Sequence, residues 1–248
     1  MKTALITGAT SGIGLALAKE LIKDHQLIIT GRREDRLNQI QEELSKINPV
    51  DVFCFDVSNR KEVESVFKSL KENNQAIDIV INNAGNAHGL ATFDEGEMDD
   101  YEAMIDINLK GLIYVSKNAI PFLEKSESAQ IVNISSIAGK ETYLRGNVYC
   151  ASKSGVEALS EGMRIDLAPK GIKVTNIAPG AVETEFSEVR FKGDSEKAKN
   201  VYKGFDALQA EDIANAVAYC LRAPKHVHVA DMTILAGTQY SATGIIKE

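Results

Sequence analysis

The chain has 248 residues, enough to bury one sizeable core as a single domain, and its 44% hydrophobic and 25% charged content excludes the disordered and fibrous classes. A net charge of −7 argues against nucleic acid or an anionic membrane as a partner. No run approaches the ~20 apolar residues of a membrane span, and the short apolar stretch after Met1-Lys2 does not resemble a secretory leader, so the expected location is cytoplasmic.

Short apolar runs alternate with longer amphipathic ones along the chain, the mark of stacked βαβ units. The expected fold is α/β: a single-domain Rossmann fold, a doubly wound parallel sheet of about seven strands with helices on both faces. The first strand, Ala4 to Thr7, runs into Gly8-Ala9-Thr10-Ser11-Gly12-Ile13-Gly14, and a helical pattern of Leu15, Ala16, Ala18, Leu21 and Ile22 begins at once. Glycines at this junction permit a tight turn and let a pyrophosphate reach the N–H groups and positive dipole of the helix. The spacing G-x-x-x-G-x-G departs from G-x-G-x-x-G, so the strand-to-helix context carries the reading. Gly8, Thr10, Ser11, Gly12, Ile13 and Gly14 are therefore expected to bind a dinucleotide.

The second strand, Leu27 to Thr30, delivers Arg32-Arg33 to the place where an NAD site puts a carboxylate on the ribose. Guanidiniums there suit a 2′-phosphate through charge-assisted, bidentate hydrogen bonds, which points to NADP as cofactor. Strand three (Val52 to Phe55) ends in Asp56-Val57 and strand four (Ile77 to Ile81) leads to Asn83-Ala84-Gly85. Both lie at strand C-termini, where ligands of open α/β sheets bind, so these five residues are expected to line the adenine and ribose. All six of the first strands are expected to be buried. The cysteines Cys54, Cys150 and Cys220 form no C-x-x-C pair and read as buried reduced thiols.

Two long helical stretches, Asp99 to Glu124 and Tyr149 to Leu167, are apolar over more than one stripe, which suggests a subunit interface. Between them, strand five (Ile131 to Ile134) leads into Ser135-Ser136, and Ser136 is placed to hydrogen-bond a substrate carbonyl. Tyr149 and Lys153 stand at i and i+4, one turn apart on one helix face. Bringing a phenol from ~10 to ~7 needs about 4 kcal/mol of phenolate stabilisation, which the lysine and an oxidised nicotinamide are expected to supply. Strand six runs from Lys173 to Ile177, and Met232 to Leu235 is the candidate seventh. The stretch 183–205 breaks the pattern and reads as a substrate lid. His226 and His228 alternate without a cysteine or carboxylate at ligand spacing, so no metal site is expected.

Together, TGATSGIG, Asn82 to Gly85, Asn108, SSIAG, YCASK and Pro179-Gly180-Ala181-Val182-Glu183-Thr184 resemble the short-chain dehydrogenase/reductase family over essentially the whole length. The resemblance implies a catalytic tetrad of Asn108, Ser136, Tyr149 and Lys153, with Ser136 rather than Ser135 on the substrate. It also implies that Lys153 and Tyr149 contact the cofactor, that Asn108 holds a water behind the lysine, and that Pro179, Gly180, Val182 and Thr184 meet the nicotinamide half. Family habit adds a homotetramer.

Within the family, Glu185 to Asp194 and Gly146 to Tyr149 are similar to the NADP-dependent 3-hydroxy acid dehydrogenases, including the serine and allo-threonine type. The implied reaction is hydride transfer between NADP(H) and a small 3-hydroxy or 3-oxo acid. Arg190 or Lys192 is then a candidate for the substrate carboxylate, against a self-paired surface loop with Glu185, Glu188 and Asp194. Two rival functions are a 3-oxoacyl-thioester reductase with the same tetrad and a non-catalytic dinucleotide sensor.

Overall fold

Every strand-like run in the sequence forms a strand. The computed structural model describes residues 1–247. In chain order it contains β1 (Lys2–Ile6), α1 (Gly12–Leu21), β2 (His25–Gly31), α2 (Glu34–Leu44), β3 (Val50–Cys54), α3 (Arg60–Glu72) and β4 (Ile79–Asn82). Beyond these lie α4 (Met98–Ile105), α5 (Leu112–Leu123), β5 (Gln130–Ile134), α6 (Asn147–Leu167), β6 (Lys173–Pro179), α7 (Phe186–Arg190), α8 (Ser195–Asn200), α9 (Ala210–Arg222) and β7 (Asp231–Ile234). A π-helical turn, Asp106–Gly111, joins α4 to α5, so the first long helix expected from the sequence contains a wider, i→i+5 bonded turn.

The strands form one parallel sheet in the order β3-β2-β1-β4-β5-β6-β7. The chain moves outward from β1 to β3, then returns to place β4 on the other side of β1. This reversal opens a crevice at the C-terminal ends of β1 and β4, the switch point at which doubly wound sheets take their ligands. Alternation along each strand builds two cores. Ala4, Ile6, Leu27, Ile29, Ile79, Ile81, Val132 and Ile134 face α1, α2 and α9. Leu5, Ile28, Val80, Ile131 and Val174 face α3 and α5, with the C-terminal part of α6.

The expectation of a fully buried third strand is corrected. β3 pairs only with β2, so it is an edge strand, and Asp51 and Cys54 on it are exposed. The buried reading of Cys54 fails for the same reason, whereas Cys150 and Cys220 are buried as expected. Among the described residues, no helix is long and apolar enough to cross a membrane.

Candidate active site

The loop after β1 is held by the loop after β4. Thr7 Oγ1 accepts the N–H groups of Asn83 (3.1 Å) and Ala84 (3.0 Å), and the Asn83 amide donates to the carbonyls of Thr7 (2.9 Å) and Gly8 (3.1 Å). The turn leaves no room for a side chain at Gly14, where a Cβ would lie 2.2 Å from the Gly8 carbonyl oxygen. Gly8 adopts φ +67°, the left-handed region that favours glycine, and its missing Cβ would strike Ala84 at 2.9 Å. The result is a concave backbone shelf at the N-terminus of α1.

Arg33 closes the shelf. Its Nε and Nη2 donate to Thr10 Oγ1 (3.1 and 2.8 Å) and its Nη2 to Ser11 Oγ (2.8 Å). Arg32 reaches Asp56 at 3.4 Å. Burial raises the Asp56 carboxyl, but hydrogen bonds from Ser58 and the nearby Arg32 outweigh it and hold the group below its usual range. A glycine cradle rimmed by hydroxyls and guanidiniums is the donor set that a 2′-phosphorylated dinucleotide requires.

The second half of the site lies beside this shelf. Tyr149 and Lys153 occupy the start of α6, both buried. Lys153 Nζ donates to the Ile134 carbonyl at 2.9 Å, at the end of β5. Burial pulls its amine down to about 8, with Glu157 acting weakly the other way. Asn108, in the π-helical turn, accepts the Asn86 N–H through Oδ1 (2.8 Å) and donates through Nδ2 to the Asn86 carbonyl (2.8 Å) and Ser152 Oγ (3.0 Å). A Cβ at Gly85 would meet Asn108 Oδ1 at 3.2 Å and Lys153 Nζ at 3.3 Å, so both groups converge on that glycine.

Ser136 caps a short 3₁₀ turn, accepting the Ala138 N–H at 3.1 Å, and its hydroxyl lies 3.5 Å from the Pro179 carbonyl oxygen. Ser135 is buried and directed instead at the Lys153 carbonyl, 3.4 Å away.

Glycine shelf, Tyr-x-x-x-Lys helix, Ser136 and Asn108 thus meet at one switch point, and comparison with known proteins gives the same grouping. Residues 2–195 match the family described as short chain dehydrogenase. The chain belongs to the short chain dehydrogenase family. It is 41% identical to an NADP-dependent 3-hydroxy acid dehydrogenase of Salmonella typhimurium over 95% of each chain. It is 38% identical to a serine 3-dehydrogenase of Agrobacterium fabrum, over 96% of this chain and 94% of that one. A solved structure of the closed form of a serine dehydrogenase complexed with NADP⁺ superposes with a TM-score of 0.93 at 38% identity, covering 99% of both chains.

In this short chain dehydrogenase the protein's own groups act on the Tyr149 phenol in opposite directions. Burial pushes Tyr149 well above its ordinary value, and Tyr143 adds to the effect. The Ser136 hydroxyl and the Arg190 guanidinium pull the other way without overcoming burial.

The remaining predicted residues spread along the crevice. Val57 is buried against Gly111, and Thr184 covers Gly12, where a Cβ would meet Thr184 Cβ at 3.2 Å. Gly180 packs on Gln239, and Val182 pairs with Leu208 while its carbonyl accepts the Tyr202 hydroxyl at 2.8 Å. The stretch 183–205 contains the short helices α7 and α8. Arg190 and Lys192 part company. Lys192 is tied to Asp100 at 2.9 Å, whereas the Arg190 guanidinium lies 5.6 Å from the ring centroids of both Tyr143 and Tyr149.

Beside Tyr149 opens a small cleft, lined by residues including His88, Asp100, Tyr101, Met104, Arg145 and Arg190. Of these, only Arg190 is a site candidate on sequence grounds. Tyr143, Arg36 and Glu185 also escape that reading. Arg36 carries a weak signal, three positions after Arg33 in the first turn of α2; the others are assembled by tertiary contacts alone.

Proposed function

We propose that the protein is an NADP(H)-dependent oxidoreductase that moves a hydride between the nicotinamide and a small 3-hydroxy or 3-oxo acid. The observation that carries the substrate class is Arg190. It is a guanidinium held by cation–π contact over the Tyr149 ring at the edge of the cleft, where a substrate carboxylate can pair with it while the reacting oxygen meets the phenol. NADP(H) supplies the hydride and, in its oxidised form, a cationic ring. Gly8, Gly12, Ile13 and Gly14 would hold its pyrophosphate, and Thr10, Ser11, Arg32 and Arg33 its 2′-phosphate. Asp56, Val57, Asn83, Ala84 and Gly85 would line the adenosine side, and Pro179, Gly180, Val182 and Thr184 the nicotinamide side.

Four side chains perform the protein's part of the chemistry. Ser136 orients the substrate oxygen. Tyr149 is the general acid/base: as the neutral phenol it gives that oxygen its proton in reduction, and as the phenolate it takes one in oxidation. Lys153 anchors the end of β5 and faces the ribose side at Gly85, and Asn108 fixes the Gly85-Asn86 turn in front of it. The lid at 183–205 closes the cleft and carries Arg190. A panel of L-serine, L-allo-threonine, 3-hydroxyisobutyrate and a 3-oxoacyl thioester tests the reading: turnover of the hydroxy acids with NADP⁺ is the expected result, and preference for the thioester refutes it.

The same reading extends to a cytoplasmic homotetramer. Ile113 on α5 and Ile165 on α6 are exposed on the two broadly apolar helices, and the three cysteines are all free thiols. Light scattering during size-exclusion chromatography checks the assembly, a monomer being the contrary outcome.

A further inference from the structure

Glu185 opens the lid, yet its carboxylate is bound at the opposite end of the crevice. Oε2 accepts from Arg33 Nη1 at 2.9 Å, and Arg36 Nη1 donates to Oε1 at 2.8 Å and Oε2 at 3.1 Å. The partners lie 152 and 149 positions away in the chain. Arg33 is at the same time hydrogen-bonded to Thr10 and Ser11, so one guanidinium joins the glycine shelf to the lid. The helix that begins at the next residue, α7, reaches the chemistry directly. The Phe186 ring stacks 5.7 Å from Tyr149 in a tilted geometry, and Arg190, at the end of the same short helix, lies over the Tyr149 ring. The anchor of Glu185 therefore sets where the aromatic wall and the carboxylate-binding cation stand relative to the phenol.

We propose that Glu185 is an internal counter-anion at the 2′-phosphate seat, competing with the cofactor's 2′-phosphate for Arg33 and Arg36. It would thus be a specificity-determining residue that couples occupation of the adenosine end to the position of the lid. This inference rests on the reading of the site as NADP(H)-dependent. Two anions sharing one pair of guanidiniums repel each other, so arrival of a phosphate dianion weakens the carboxylate's hold. Arg32, held only at 3.4 Å by Asp56 and largely exposed, is left to swing onto the incoming phosphate. The carboxylate also keeps Arg33 and Arg36 from accepting any stray anion, since a ligand must outcompete it for them.

The test uses adenosine 2′,5′-bisphosphate and adenosine 5′-monophosphate as probes, titrated calorimetrically into the wild-type protein and Glu185→Gln. The variant should bind the bisphosphate about fivefold more tightly, the scale of one exposed ion pair, with affinity for the monophosphate unchanged. In the wild type, the bisphosphate but not the monophosphate should speed tryptic cleavage at Lys197 and Lys199 in the lid; Glu185→Gln should be cleaved rapidly without either. Unchanged or weaker bisphosphate binding by the variant overturns the inference while leaving the NADP(H) reading intact, provided that the wild type prefers the bisphosphate. If the wild type binds both nucleotides alike, the NADP(H) reading falls, and the inference with it.

Discussion

Replacing Lys153 with methionine should abolish turnover and yet stabilise the cofactor-free protein at neutral pH. Lys153 is 5% exposed, and burial lowers its amine from an ordinary 10.5 to about 8. The folded value lies below the unfolded one, so between those two values the unfolded chain binds more protons, and stability rises with pH through that window. Below about pH 8 the full cost of burying the ammonium is present, roughly 3 kcal/mol for an amine lowered from 10.5 to about 8. Methionine keeps the apolar stem but forfeits the hydrogen bond to the Ile134 carbonyl, a loss of about 1–2 kcal/mol. The net expectation at pH 7 is a gain of about 1–2 kcal/mol for the variant. Near pH 10 most of the burial cost has gone from the wild type, and the order of stabilities reverses. Urea unfolding of both proteins at one fixed concentration, at pH 7 and pH 10, measures the change; other titrating groups cancel in the difference between variants. The wild type should gain about 2–3 kcal/mol relative to Lys153→Met over that interval. A difference that does not move with pH would refute the claim that this lysine is buried as a strained cation.

Tyr149→Phe should lower turnover by about 10²–10⁴ while NADPH, monitored by its fluorescence, still binds; turnover within tenfold of wild type would remove the phenol from proton transfer. Arg33→Ala breaks the guanidinium's bonds to Thr10 and Ser11 and should raise the KM for NADPH by roughly tenfold or more, with little effect on NADH. Equal losses on both cofactors would contradict a 2′-phosphate role. Arg190→Gln should raise the KM for a 3-hydroxy acid by roughly tenfold or more and leave its uncharged methyl ester almost unaffected. If both substrates suffer alike, Arg190 braces Tyr143 and Tyr149 and does not recognise a carboxylate.

How much of this was legible beforehand depends on the range over which each feature is decided. The doubly wound parallel sheet could be anticipated because short apolar runs separated by amphipathic helices permit few topologies. The glycine shelf and the Tyr149–Lys153 pair are local, needing only a strand-to-helix junction or one helical turn to be seen. Features decided at longer range were not readable. β3 lies at the sheet edge because of pairing, and this exposes Cys54. Asn108 sits in a π-helical turn that its apolar neighbours do not advertise.

The amino-acid sequence by itself thus determined the fold class, the glycine shelf and the Tyr149–Lys153 pair, since each is carried by local pattern and spacing. Tertiary structure alone decided the electrostatics. It buried Tyr149 and Lys153 together, set Arg190 against two tyrosines, and brought Glu185 across the crevice to Arg33 and Arg36. Charge interactions depend on distance and burial in three dimensions, and neither is encoded in spacing along the chain.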